Sequence, residues 1–364
     1  MAGLKNALKS KNIATGWMYF YIHFATEVIC FFCLKKQMVT DDSALLWLIP
    51  FVYDALAFVP QSVFGYISDR FPKFNAGLTG IILMAFAGLS FWLGILPGRF
   101  SAIVVLCAGN ALTHVGGAEV TLRSSGGHLA HSAVFVGGGS FGVITGTLLA
   151  ATSLPYIAVI LFLLSAVPFA VCAQKYRYPG ADTRELCKDF NYAKKNIPVP
   201  VVILVSMLVV AVRAYMGYCL PVAWKTTTLH SALLFITMGA GKAAGGFLAD
   251  AYGVKKTALV SAAGALPFIL LGNRIMVVSL IGIMLFSMTM SITVALNVSV
   301  LKGAPGLAFG YSTTALFLGT LPIFFITIKT DLLSNIILSV FTFISFAALA
   351  IIIRKDEKIS ELHY

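Results

Sequence analysis

Twelve apolar stretches, each about long enough for a helix to cross a bilayer, occupy nearly the whole chain. They run over 15–36, 44–67, 74–96, 100–121, 128–152, 155–174, 198–220, 228–250, 255–272, 276–299, 305–328 and 331–353. A spanning helix needs roughly 20 apolar residues, and proline, glycine and charge clusters punctuate the runs. Of 364 residues 59% are hydrophobic and 11% charged, whereas globular chains carry about a quarter charged residues. The predicted fold class is an all-α membrane protein of twelve transmembrane helices, with no room for a soluble catalytic domain.

The longest polar interruption, Lys175 to Asn196, divides the spans six and six. It predicts an N-terminal six-helix bundle over 1–174, a cytoplasmic linker over 175–197, a C-terminal six-helix bundle over 198–353 and a cytoplasmic tail over 354–364. A net charge of +12 would point a soluble protein toward nucleic acid. Here the charge sorts by side. Eighteen lysines and arginines, from Lys5, Lys9 and Lys11 through Arg70, Arg123, Arg177, Arg184 and Lys302 to Lys358, share the side of both termini. Six lie on the other side, and Arg213 and Lys242 lie within spans. The positive-inside rule makes that first side cytoplasmic, so the charge reports orientation and no nucleic acid is expected among the partners; the expected location is a plasma or bacterial inner membrane. The cysteines sit almost entirely in apolar runs, so neither a disulfide framework nor a metal or other cofactor is expected.

The halves repeat one another. Gly65-Tyr-Ile-Ser-Asp69-Arg70 follows the second span and Gly246-Phe-Leu-Ala-Asp250 follows the eighth, with the aspartates 181 residues apart. Gly127-His-Leu129-Ala130 before the fifth span answers Pro305-Gly306-Leu307-Ala308 before the eleventh, at an offset of 178. The glycine permits close helix approach, and the aspartate can cap a neighbouring helix end. Gly65, Asp69, Arg70, Gly246 and Asp250 are therefore the expected gating motif, with Glu119 placed to pair with Arg70. Gly138, Gly142 and Gly146, at four-residue spacing, predict tight packing of the fifth span on a neighbour.

With these motifs the chain resembles the major facilitator superfamily over essentially its whole length. That resemblance implies two pseudo-symmetric six-helix bundles and a central cavity lined by spans one, four, seven and ten. His114-Val-Gly-Gly-Ala-Glu119, Ser125-Gly-Gly127-His-Leu-Ala-His-Ser132 and the glycine-rich run through Gly146 look like the fosmidomycin-resistance-type branch. That likeness implies drug export in exchange for protons. Val115 and Gly116 stand where that branch carries Pro and Glu, and Thr147 stands where drug antiporters carry Pro.

Ionisable groups inside spans are the informative set. Each costs roughly 2.5–3.5 kcal/mol at a helix centre, so Glu27, Asp54, Arg213 and Lys242 left unpaired would cost about 10–14 kcal/mol. Both acids lie in the first half and both bases in the second, which predicts ion pairs across the halves. His23 and Glu27 share a helical face. Asn110 and His114, and Thr289, Thr293 and Asn297, form further polar stripes. Arg213 is the expected anchor for an anion, since a guanidinium grips a carboxylate or phosphonate in two places. Protonation of Glu27 or Asp54 is expected to release it. His128 and His131 are expected to be solvated at the membrane face.

Without a nucleotide-binding motif, the predicted activity is secondary transport by a monomer, driven by a gradient. The partners are the lipid bilayer, a small anionic or amphipathic solute and protons, and the direction is export. An uncoupled facilitator or importer, a lipid flippase and a polytopic membrane enzyme are the alternatives.

Overall fold

The computed structural model of the chain describes residues 12–39, 47–71, 73–177, 187–220, 222–272, 274–326 and 331–355. Lys5, Lys9, Lys11, Arg184, Lys358 and most of the expected tail lie outside them. Among the described residues twelve helices are long and apolar enough to cross a membrane: α1 (Ile13–Met38), α2 (Leu48–Arg70), α3 (Ala76–Leu93), α4 (Gly98–Ser124), α5 (Ala130–Ala150), α6 (Tyr156–Gln174), α7 (Val199–Gly217), α8 (Thr228–Tyr252), α9 (Val254–Leu271), α10 (Met276–Val300), α11 (Pro305–Phe324) and α12 (Asp331–Ile352). Among the described residues the only β pairing is an isolated bridge between Ala193 and Ile353. The chain is a multi-pass membrane protein.

Local chemistry sets the helix ends. Asn75 caps α3 by accepting the Leu78 N–H at 3.0 Å, and Thr227 caps α8 by accepting the His230 N–H at 3.2 Å. Pro60 interrupts α2 between Phe58 and Gln61, because its ring carries no N–H to continue the helical hydrogen bonds. The outer faces are apolar, with Leu161, Leu271 and Leu332 exposed, as lipid contact requires. Trp17, Trp47 and Trp92 are exposed near span ends, where indole anchors at an interface.

Glycines set the tightest packing, that of α1 on α5. Gly138, Gly142 and Gly146 lie directly over the carbonyls of Phe20, Phe24 and Val28, and a Cβ at Gly142 would stand 2.7 Å from the Cβ of Glu27. The stripe therefore holds the Glu27 face of α1 in place. Gly142→Leu is expected to destabilise the protein by about 1–3 kcal/mol through overpacking, read as a lower unfolding temperature in detergent. An unchanged temperature would show that the contact is dispensable.

The halves meet through α2 against α11 and α5 against α8. The described part of the linker joins them at one end. Lys194 N–H donates to Ile352 O at 3.0 Å and Arg354 N–H to Tyr192 O at 2.8 Å, while the Tyr192 hydroxyl donates to Gly127 O at 2.6 Å.

Candidate transport site and closing contacts

The repeated motifs fit each other crosswise. Asp69, at the end of α2, accepts the Gly306 and Leu307 N–H groups of α11 at 3.1 and 3.0 Å. Asp250, at the end of α8, accepts the Leu129 and Ala130 N–H groups at the start of α5 at 2.8 and 2.9 Å. Each aspartate of one half thus caps a helix of the other, where orphan N–H groups and the helix dipole favour an anion. The glycine one turn earlier makes this possible. A Cβ at Gly65 would run into the Gly306 backbone, and one at Gly246 would stand 2.8 Å from Leu129 O.

A buried charge network backs Asp69. Arg123 donates to Asp69 at 2.8 Å, and Arg177 donates to Glu119 Oε2 at 2.7 Å. Arg177 also donates to Ser68 O at 2.6 Å and to the Phe74 carbonyl, and Ser68 donates to Glu119 at 2.7 Å. The expected Glu119–Arg70 pair is corrected. Arg70 stands 4.2 Å over the Tyr66 ring, and Arg177 takes the carboxylate because it enters from beyond α6, between α2 and α4. His131 is fully buried rather than solvated. His128 is exposed, with its ring 3.7 Å from Asp250.

Near the middle of the helices a polar cluster joins α1, α2 and α4. Asn110 donates to Glu27 Oε1 and to the Tyr53 hydroxyl, both at 3.0 Å. His23 and His114 bring Nε2 to 3.7 and 3.5 Å from the same carboxylate oxygen. The expected ion pairs across the halves are not formed among the described residues. Glu27 is satisfied inside its own half. Lys242 reaches across to Ser140 of α5 at 2.9 Å, and Arg213 donates to Thr289 at 3.3 Å. Asp54 is buried with no basic partner among the described residues. The expected release of Arg213 by protonation of Glu27 therefore has no contact to act through.

The α10 stripe divides. Thr289 receives Arg213, whereas Thr293 bonds back to Met290 O at 2.9 Å and Asn297 donates to Ser312 of α11 at 3.1 Å. Thr293 is therefore satisfied within α10, and Asn297 ties α10 to α11. A largely apolar cavity within the second half is lined by Arg213, Met216, Leu234, Met238, Phe286, Ser287 and Lys225. Arg213 is 9% exposed, and its Nη2 has no hydrogen-bond partner among the described residues. Sequence reasoning missed Tyr53, Ser140 and Arg177, which carry no signal beyond being polar residues in or beside a span.

No family model matches the chain, and no curated protein matches its sequence. Solved structures do. The human organic anion transporter MFSD10 (TETRAN) is 17% identical, with a TM-score of 0.63 over 93% of this chain and 99% of that one. The major facilitator superfamily transporter FucP in its outward conformation is 13% identical, with a TM-score of 0.66 over 93% and 98%. A variant of FucP, the E. coli fucose:proton symporter, is 13% identical, with a TM-score of 0.63 over the same shares. The fold of this chain is that of the major facilitator transporters.

Proposed function

We propose that the protein is a secondary transporter of a small organic anion, working by alternating access. The observation that carries this reading is Arg213, a buried guanidinium with no acidic partner among the described residues and one nitrogen without a hydrogen bond, at the wall of an apolar cavity. A carboxylate or phosphonate on an apolar body would satisfy both. The likeness to an organic anion transporter agrees with it. The experiment is a thermal-shift screen of purified protein against carboxylates, phosphonates, sugars and amphipathic drugs. A ligand at a hundred times its Kd adds about 2.7 kcal/mol of stability, and anions are the class expected to do so. Stabilisation by neutral sugars alone would overturn the reading.

The Asp69/Asp250 end is assigned to the cytoplasm on the charge asymmetry of the loops, so the arrangement described here is closed on that side. Rocking the halves would break both aspartate caps and the Tyr192 contact, and would close the opposite end. Export is the assigned direction, on the likeness of α4 and α5 to the fosmidomycin-resistance-type branch.

Asp54 is assigned to carry the coupling proton. It is buried without a basic partner among the described residues, and neutralising it removes the cost of burying its charge. Asp54→Asn is expected to abolish substrate-dependent proton movement in proteoliposomes while leaving substrate exchange. Full proton movement in that variant would remove Asp54 from the mechanism, and none in the wild type would make the protein an uncoupled carrier.

A further inference from the structure

His23, Glu27 and His114 each offer one ligand atom to the same buried cluster, and those atoms lie within 4.8 Å of one another. Glu27 Oε1 is 3.7 Å from His23 Nε2 and 3.5 Å from His114 Nε2. Both separations are longer than the usual span of about 2.7–3.2 Å for an N–H···O hydrogen bond. The other ring nitrogens explain why. His23 Nδ1 is 2.9 Å from Phe135 O, and His114 Nδ1 is 3.0 Å from Asn110 O. A carbonyl oxygen offers only lone pairs, so each Nδ1 carries the ring hydrogen. A ring that is also neutral then has an unprotonated Nε2 beside the carboxylate. In that state three electron-pair donors lie together with no hydrogen of their own between them, an arrangement that is repulsive by itself and attractive around a cation.

Size and donor type select the cation. Zinc bonds imidazole nitrogen at about 2.0–2.1 Å and carboxylate oxygen at about 2.0–2.2 Å, so a tetrahedral site has edges of roughly 3.3–3.5 Å. The two edges from Glu27 lie at or just beyond that range, and the edge between the imidazoles is within 4.8 Å. Calcium takes oxygen donors at about 2.3–2.6 Å and fits neither the nitrogens nor the spacing. We propose that His23, Glu27 and His114 form a three-ligand site for a divalent transition metal of the zinc class, with a fourth position left for an exogenous ligand.

The surroundings are those a metal site needs. Carbonyl acceptors fix both imidazole tautomers, the usual role of groups behind a metal ligand. Asn110 does this twice over: its carbonyl holds His114, and its side chain donates to Glu27 at 3.0 Å while also holding Tyr53. It is a positioning residue. Lys242 of the other half is tied to Ser140 rather than to Glu27, which leaves the carboxylate to the cluster. All three ligands belong to α1 and α4, so rocking of the halves leaves the site assembled. The proposal does not rest on the transport reading, because metal binding is measured without flux.

The test is titration of chelator-stripped, full-length protein with zinc alone by calorimetry, and with cobalt by visible absorption. One ion per chain is expected. Asn110→Ala should weaken binding about 10- to 100-fold, and Glu27→Gln and His114→Ala by more than that. His230→Ala, which removes a histidine at the far end of α8, should change nothing. X-ray absorption of the zinc-loaded wild type should show two imidazole nitrogens and oxygen at about 2.0–2.2 Å, and it decides the matter even if the variants fail to fold. Absence of saturable zinc binding, a zinc shell without imidazole, or affinity unmoved by Glu27→Gln and His114→Ala would each overturn the proposal.

Discussion

Replacing Asp69 and Asp250 together by asparagine is expected to open the end of the molecule that they hold shut. Each carboxylate accepts two backbone N–H groups from a helix of the opposite half. Asparagine keeps one acceptor oxygen and turns an NH2 group toward the other N–H. Hydrogen bonds to a charged group contribute about 1.5–3 kcal/mol, so the pair of changes removes roughly 3–6 kcal/mol of bias toward this arrangement. That shifts the balance between the two access states by about 10²- to 10⁴-fold. A reporter is already present. Cys187, in the linker at this end, is 1% exposed, and burial pushes its thiol up to about 12. Buried and protonated, it is inert, because only the thiolate attacks. Maleimide labelling of Cys187, followed by mass spectrometry, should accelerate by more than about tenfold in the double variant. A rate equal to that of the wild type would mean that the aspartate caps do not close this end.

The second large effect is expected at Arg213. Substitution by methionine removes a buried charge that no acidic group neutralises among the described residues. Breaking a buried ion pair is strongly destabilising, but here there is no pair to break. Arg213→Met should therefore unfold at the wild-type temperature or above it, yet bind an anionic substrate about 10- to 100-fold more weakly, the weight of one charged hydrogen-bonded contact. Arg213→Lys should recover only part of the affinity, because an ammonium cannot bind two oxygens in one plane. Binding by titration and unfolding by heat, measured on the same samples, separate the roles. Loss of stability with unchanged affinity would make Arg213 a structural residue.

Much of this architecture is legible in the one-dimensional pattern. The expected spans and the observed helices agree to within four residues at every end. The reason is physical: a bilayer demands that each backbone polar group be satisfied within its own segment, so apolar length alone delimits a helix. The two Gly-x-x-x-Asp motifs and the two short strips before α5 and α11 were also visible as repeats. Their crosswise engagement was not, because a repeat says that two segments are alike and not which segment each will touch.

The polar residues show the same limit more sharply. His23 and Glu27 announce themselves by four-residue spacing, since one turn of helix sets their separation. His114 joins them from α4, through a packing angle that no local pattern encodes. Charge bookkeeping led to ion pairs across the halves, because opposite signs sit in opposite halves. The folded chain instead satisfies Glu27 with Asn110 and holds Lys242 on Ser140. A buried charge needs hydrogen bonds as much as it needs a countercharge, and neutral donors nearby can supply them.

The sequence by itself determined the solvent, the number of helices, the twofold repetition and the small set of groups too costly to bury without purpose. Hydropathy and short-range periodicity are local properties, and they survive in one dimension. Only the tertiary structure decided which aspartate caps which helix, that Arg177 rather than Arg70 reaches Glu119, and that two histidines and a carboxylate gather in one buried cluster. Those outcomes depend on how closely glycine-lined helices approach one another, and a distance of an ångström between segments far apart in the chain is set by packing alone.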